Sequence, residues 1–348
     1  MAVTLGIGTI KGAWIARSED REHWTLTGPH LKGWEVTTFG RAPNADYLAS
    51  TGSTWYGAAI HRSEDLESWS QYPDPPKHAD DRKLARIWTL ATNNDTIYGG
   101  VAEAGLFTSD DGGANWEGVD GLNQHESQPH WQPGLGGLAA HRILFSRSDP
   151  SRIWCAISAV GVFRSDDGGS TWHSRNDGVT KVAPSEDRGD IGFCVHCITN
   201  DPKDPNRLWR QDHSGVYRTT DGGDSWERIE NGLPAAFGFP ITRHHHSGRL
   251  FVVPLESDEY RMPVGGRLEV YVSDDDGESW KTSSDGLPVD TYAGPLRDAM
   301  DCDQLDAGGV YMGTTAGAVH WTRDGGEQWH TLPHTFPRIS SITVLDAN

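Results

Sequence analysis

The chain has 348 residues, with 30 Lys and Arg against 49 Asp and Glu, a net charge of −19 at neutral pH. That charge opposes nucleic acid and anionic membrane surfaces as partners, and no apolar run approaches the ~18 residues of a membrane span. Forty-one glycines, nineteen prolines and an absence of helical periodicity point to short strands joined by many turns.

Residues 3–9, 12–18 and 23–27 read as strands. They are one short of a four-strand unit, because a second unit begins near Glu35. The third unit reads in full as strands 86–92, 96–101, 105–109 and 115–119, separated by polar turns, and the later units follow it. After the last turn, residues 338–345 read as a lone strand. Paired with the N-terminal strands, it completes the first unit and removes an exposed sheet edge.

The turn between the third and fourth strands recurs seven times. Ser165-Asp166-Asp167-Gly168-Gly169-Ser170-Thr171-Trp172 is one copy, and the copies end at Trp24, Trp69, Trp116, Trp172, Trp226, Trp280 and Trp329. The gaps of 45, 47, 56, 54, 54 and 49 residues suit a four-stranded propeller blade with its loops. An aspartate such as Asp221 caps backbone N–H groups, the glycines take positive φ, and the tryptophan packs on the blade. The aspartates are therefore read as structural. The first two copies are one residue shorter and lack the glycines, so altered turns with intact strand pairing are expected there.

These repeats resemble the Asp-box, or BNR, repeat over nearly the whole chain. That repeat occurs in sialidases, xyloglucan-degrading enzymes, sortilin-type receptors and photosystem assembly factors. The resemblance implies an all-β, seven-bladed β-propeller with Asp-box turns, its first blade closed by strands from both termini. It leaves the function open, because such propellers include enzymes and scaffolds. One domain over residues 1–348 is expected, and, with no basic-plus-apolar leader, a cytoplasmic location.

Ligand sites in such a propeller use the links between blades and the loops joining second and third strands, opposite the Asp-box turns. The link 120–141 holds His125, Glu126, His130, Trp131 and His141; the link 176–193 holds Glu186, Asp187, Arg188 and Asp190 and leads into His196. The link 287–301 holds Tyr292, Arg297, Asp298 and Asp301. Loops between second and third strands add Trp55, Tyr56, His213 and the excursion 256–266.

Three readings follow. A glycoside hydrolase-like or lyase-like enzyme needs acids and flat aromatics. Glu126, Asp187, Asp301 and His196 are its catalytic candidates. Trp55, Trp131, Arg188, Arg297 and Arg338 are its substrate-binding candidates for a small polar or carbohydrate-like ligand, unless Trp131 only pins its long link. Within this reading, Phe336-Pro337-Arg338-Ile339 carries the letters of the sialidase arginine motif in another order. No tyrosine–glutamate nucleophile pair accompanies it. A metal-dependent enzyme would hold a divalent transition metal on His125, His130 and His141. A non-catalytic scaffold would use the same loops for a protein partner.

Cys194-x-x-Cys197 invites a redox or zinc reading, but an offset of three on a strand sends the two thiols to opposite faces. Free thiols are expected. His244-His245-His246 falls in a turn on the Asp-box side and is expected to be solvated.

Overall fold

The computed structural model describes residues 1–181 and 189–348. Among these residues the strands form five four-stranded antiparallel sheets and one eight-stranded sheet. The eight-stranded sheet is two four-stranded meanders joined at the single pair Ala102↔Ala139. The chain is a β-propeller. Only one short α-helix, Asp120–Asn123, and two 3-10 turns interrupt the described strands. No described helix is long and apolar enough to cross a membrane.

The innermost strands pack side by side in cyclic order. Ile339–Ala347 lies against Glu35–Arg41, followed by Arg86–Asn93, Ala139–Phe145, Val195–Asn200, Gly238–Arg243 and Met300–Cys302, which returns to Ile339–Ala347. Ile339–Ala347 also pairs along Val3–Thr9, with Ile342 opposite Ile7. The C-terminal strand therefore serves as the inner strand of the first meander. Apolar side chains between neighbouring meanders make the core. Phe251, Val253 and Val270 of one meet Met300, Val310 and Met312 of the next.

The aspartate turns behave as turn chemistry requires. Asp221 Oδ1 accepts the Thr219 hydroxyl at 2.6 Å and the Ser225 N–H at 2.9 Å, and its Oδ2 accepts the Ser225 hydroxyl at 2.6 Å. Gly223, at φ 100°, donates its N–H back to Thr219 Oγ1 at 3.0 Å. In the two short copies the carboxylate cap survives. Asp20 and Asp65 each accept two backbone N–H groups at 2.8 Å. Arg21 and Leu66, at φ 58° and 66°, occupy the positive-φ position beside them.

The tryptophans also tie meanders together. Trp226 Nε1–H donates to Arg175 O, Trp280 to Ile229 O and Trp329 to Ser283 O, each in the preceding meander and at 2.7–2.9 Å. Trp116 and Trp172 instead donate to Gly113 O and Gly169 O of their own turns.

One expectation about the Asp-box side is corrected. His244 is buried, with its ring between Ser247 Oγ at 2.8 Å and Leu305 O at 2.9 Å. His245 is half-buried, and burial pushes its pKa down to about 4; only His246 is exposed. A turn entering the groove beside the next meander buries its first residues whatever their polarity.

Candidate functional site at the channel mouth

Antiparallel meanders put the starts of all inner strands and the loops between second and third strands at one end of the channel. The aspartate turns lie at the other end. Two adjoining cavities open at the first end. One, of about 260 Å³, is lined by Cys194, His196, His213, Phe237, Asp258 and the link around Leu135. The other, of about 310 Å³, is lined by Glu35, Arg86, Trp88, Leu296, Arg338 and Ser340. Gly136, Phe239, Arg261 and Arg297 line both.

Four arginines therefore gather at the mouth of a strongly acidic chain. Arg86 is neutralised by Glu35 at 2.7 Å. Arg261 crosses the ring of Phe239 at 5.5 Å. Arg86 and Arg297 both stack on Trp88, at 4.9 and 5.4 Å from its ring centroid. Arg297 Nη1 is buried and has no hydrogen-bond partner among the described residues. Burial pushes the Arg297 pKa down, with Asp298 opposing. Burial in turn raises Asp298 to about 6, with Arg142, at 3.7 Å, and Arg297 opposing. A buried N–H donor without an acceptor is costly unless an anion completes it.

In the smaller cavity, His196 sits on its inner strand between Phe237 and Phe239, at centroid distances of 5.2 and 4.8 Å. Its Nδ1 lies 2.6 Å from Gly238 O, which fixes Nδ1 as the donor and leaves the Nε2 lone pair free. That Nε2 lies 3.6 Å from Cys194 Sγ. Burial, helped by the Arg297 cation, keeps the His196 pKa well below its ordinary value, so the ring is neutral at physiological pH. Burial raises the Cys194 thiol, and Arg297 opposes that rise. His213 reaches in from the neighbouring turn, with Nε2 3.3 Å from Asp258.

Of the residues singled out from sequence, His196, His213, Arg297 and Arg338 line these cavities. Asp187 and Arg188, with Glu186, lie outside the described residues. Asp301 lies deeper in the channel, beside Arg142 and Asp298, and accepts the N–H groups of Cys302 and Val344 at 2.8 Å. Glu126 is exposed on its link and lines neither cavity.

The expected histidine triad is corrected. His125, His130 and His141 do not come together among the described residues. His125 packs edge-on against Phe163 at 5.1 Å, and His130 is exposed. His141 is fully buried with Nε2 3.1 Å from Val195 O. A link that first folds as a helical turn and then as a 3-10 turn sends successive histidines in different directions.

Neither tryptophan lines these cavities: Trp131 follows the alternative that it pins its link, and the placement of Trp55 is corrected. Trp131 is 5% exposed, packs on Phe163 and donates Nε1–H to Ser127 Oγ at 2.9 Å, so it pins the link. Trp55 is 88% exposed at a loop tip and lines neither cavity. The mouth aromatics are instead Trp88, Phe237 and Phe239. Trp88 was legible as an alternate residue of an inner strand. The sequence sets Cys194 against Cys197, whereas its neighbour is His196, just inside the strand Val195–Asn200. The four cysteines are free, and Cys197 points into the core beside Trp209.

No family model matches the chain, and no curated protein matches it. Solved structures do. The WD40 β-propeller domain of Doa1 aligns with a TM-score of 0.58 at 12% identity, covering 94% of this chain and 91% of that one. YCF48 bound to D1 peptide aligns with a TM-score of 0.57 at 15% identity, covering 88% of each chain. The GH74 xyloglucanase from Xanthomonas campestris aligns over 96% of this chain at 15% identity with a TM-score of 0.38, and the chain spans about half, 53%, of that enzyme. At these identities the first two likenesses carry the fold: the chain is a β-propeller.

Proposed function

We propose that this chain is an Asp-box propeller enzyme whose channel mouth takes a small polar, carbohydrate-like substrate bearing a carboxylate. One observation carries the reading. Arg297 stands at the junction of both cavities with a buried, unpartnered Nη1, flanked by Arg261 and Arg338. A fork of N–H donors suits a carboxylate, and Trp88 and Phe239 offer flat apolar faces beside it. The neutral imidazole of His196, with a free Nε2, is a general base within the same cavity. Two catalytic carboxylates from the set Glu126 and Asp301 are not supported, because these residues lie apart from the mouth.

A charge-assisted hydrogen bond contributes about 1.5–3 kcal/mol, so losing the Arg297 contact should weaken binding by at least about tenfold. The test is thermal stabilisation by a panel of uronic acids and hydroxy acids, set against their neutral amides. Stabilisation by acids alone, lost in R297M and retained in E126Q, is expected. Equal responses to acids and amides, or none to any acid, would refute the reading.

A second reading is a peptide-binding scaffold. Leu135, Tyr260 and Tyr292, 85%, 58% and 66% exposed, stand on the links and excursion at the mouth. One similar fold is described with a bound peptide, and the same arginines suit a terminal carboxylate. Binding of short peptides with a free C-terminus, without turnover of any acid, would favour this reading.

A further inference from the structure

The smaller cavity contains a second constellation, independent of the arginines. We propose that Cys194, His196 and His213 form a zinc-type site, Sγ and two imidazole nitrogens, with its fourth position open to the cavity. The three ligand atoms lie within 4.8 Å of one another. A tetrahedral centre with Zn–S of about 2.3 Å and Zn–N of about 2.0–2.1 Å separates sulfur from nitrogen by about 3.6 Å. Cys194 Sγ and His196 Nε2 are 3.6 Å apart.

The surroundings supply what such a centre requires. The Gly238 carbonyl holds His196 Nδ1–H at 2.6 Å and so aims Nε2 at the site, the usual outer partner of a metal-bound imidazole. Phe237 packs on both His196 and His213, each at 5.2 Å, and limits their rotation. Cys194 immediately precedes the strand Val195–Asn200 that carries His196, and His213 comes from the turn between the next two strands, Leu208–Asp212 and Gly215–Thr219.

Charge decides which ion is held. Arg297 and Arg261 line the same cavity and oppose a bare dication. Binding displaces the Cys194 thiol proton to solvent, and the thiolate and the Asp258 carboxylate together offset the two charges of the metal. The donor set of one sulfur and two nitrogens selects zinc and its borderline neighbours over magnesium or calcium. A metal there would face Arg297 across the cavity, so that an anionic ligand could meet both. A bound metal takes up the His196 Nε2 lone pair, so that imidazole serves as a base only in the metal-free protein; the carboxylate reading rests on Arg297 and stands or falls separately.

The test uses the full chain, stripped with a chelator and titrated with cobalt(II). One cobalt per chain is expected, with a sulfur-to-cobalt charge-transfer band in the near ultraviolet, displaced by zinc. C194S should lose the band. H213N, at a partly exposed position, should weaken binding at least about tenfold while retaining the wild-type circular dichroism and melting temperature. H125A should bind as wild type. Absence of cobalt binding, a band that survives C194S, or full affinity in a folded H213N would overturn the site. So would alkylation of Cys194 at the same rate with and without zinc, which would leave it a plain thiol. Anion binding by a protein that takes no metal would sink this site and leave the carboxylate reading standing.

Discussion

The guanidinium of Arg297 lies over the indole of Trp88, 5.4 Å from its centroid, although the two residues belong to meanders that do not adjoin in the ring. The contact therefore spans the channel mouth. Arg86 stacks on the same ring at 4.9 Å, so one indole positions two cations that would otherwise repel.

An arginine kept for a ligand should not be kept for stability. R297M removes a buried, unpartnered donor and retains most of the side-chain volume. Its thermal midpoint should equal or exceed that of the wild type, because a buried guanidinium donor without an acceptor costs more than a buried thioether. A clear drop in midpoint on thermal unfolding would mean that Arg297 serves the fold.

Arg210, by contrast, has a carboxylate partner in Asp212. They form a fully buried ion pair, and Arg210 also donates to Asn176 Oδ1 at 3.0 Å. D212A leaves a buried cation and should cost about 3–5 kcal/mol, whereas the double variant R210M/D212L should recover most of that loss. Urea unfolding of both variants gives the answer, and a D212A cost under ~1 kcal/mol would refute the pairing.

Acid should loosen the aspartate turns. Hydrogen bonds from Asn115, Thr171 and Ser279 hold Asp111, Asp167 and Asp275 at about 2, below the ordinary 3.8. Their stabilisation is present above the unfolded value and is lost as pH falls through the folded one. The melting temperature should decline between about pH 4 and pH 2, and less steeply in D167N. A flat profile across that interval would show that the caps contribute nothing measurable.

W226F keeps an apolar ring but removes the N–H that reaches Arg175 O in the preceding meander. The expected cost is about 0.5–1.5 kcal/mol, measured by urea unfolding. Equal stability would mean that the bond across the meanders adds nothing.

Local chemistry made the fold legible and left the mouth only partly so. The Asp221 cap and Trp226 sit within eight residues of each other, and turn rules predict their geometry without the rest of the chain. Arg297 and Arg338 could be placed because each precedes an inner strand. Cys194 and His213 could not be paired from sequence, since they meet only when two strands of one meander and a turn converge. Trp131 and Trp55 show the limit in both directions. A tryptophan outside the repeat can fold down onto Phe163 or stand in solvent, and composition does not say which.

The proposed division is binding at the arginine-lined mouth and stability in the aspartate turns. Calorimetric titration of the acid that stabilises best, with wild type, R297M and D221A in parallel, tests it most directly. Binding by R297M should be at least about tenfold weaker. D221A should keep its affinity while its unfolding free energy falls by about 0.5–2 kcal/mol. Undiminished binding by R297M, together with loss of binding in a D221A protein of normal stability, would contradict it.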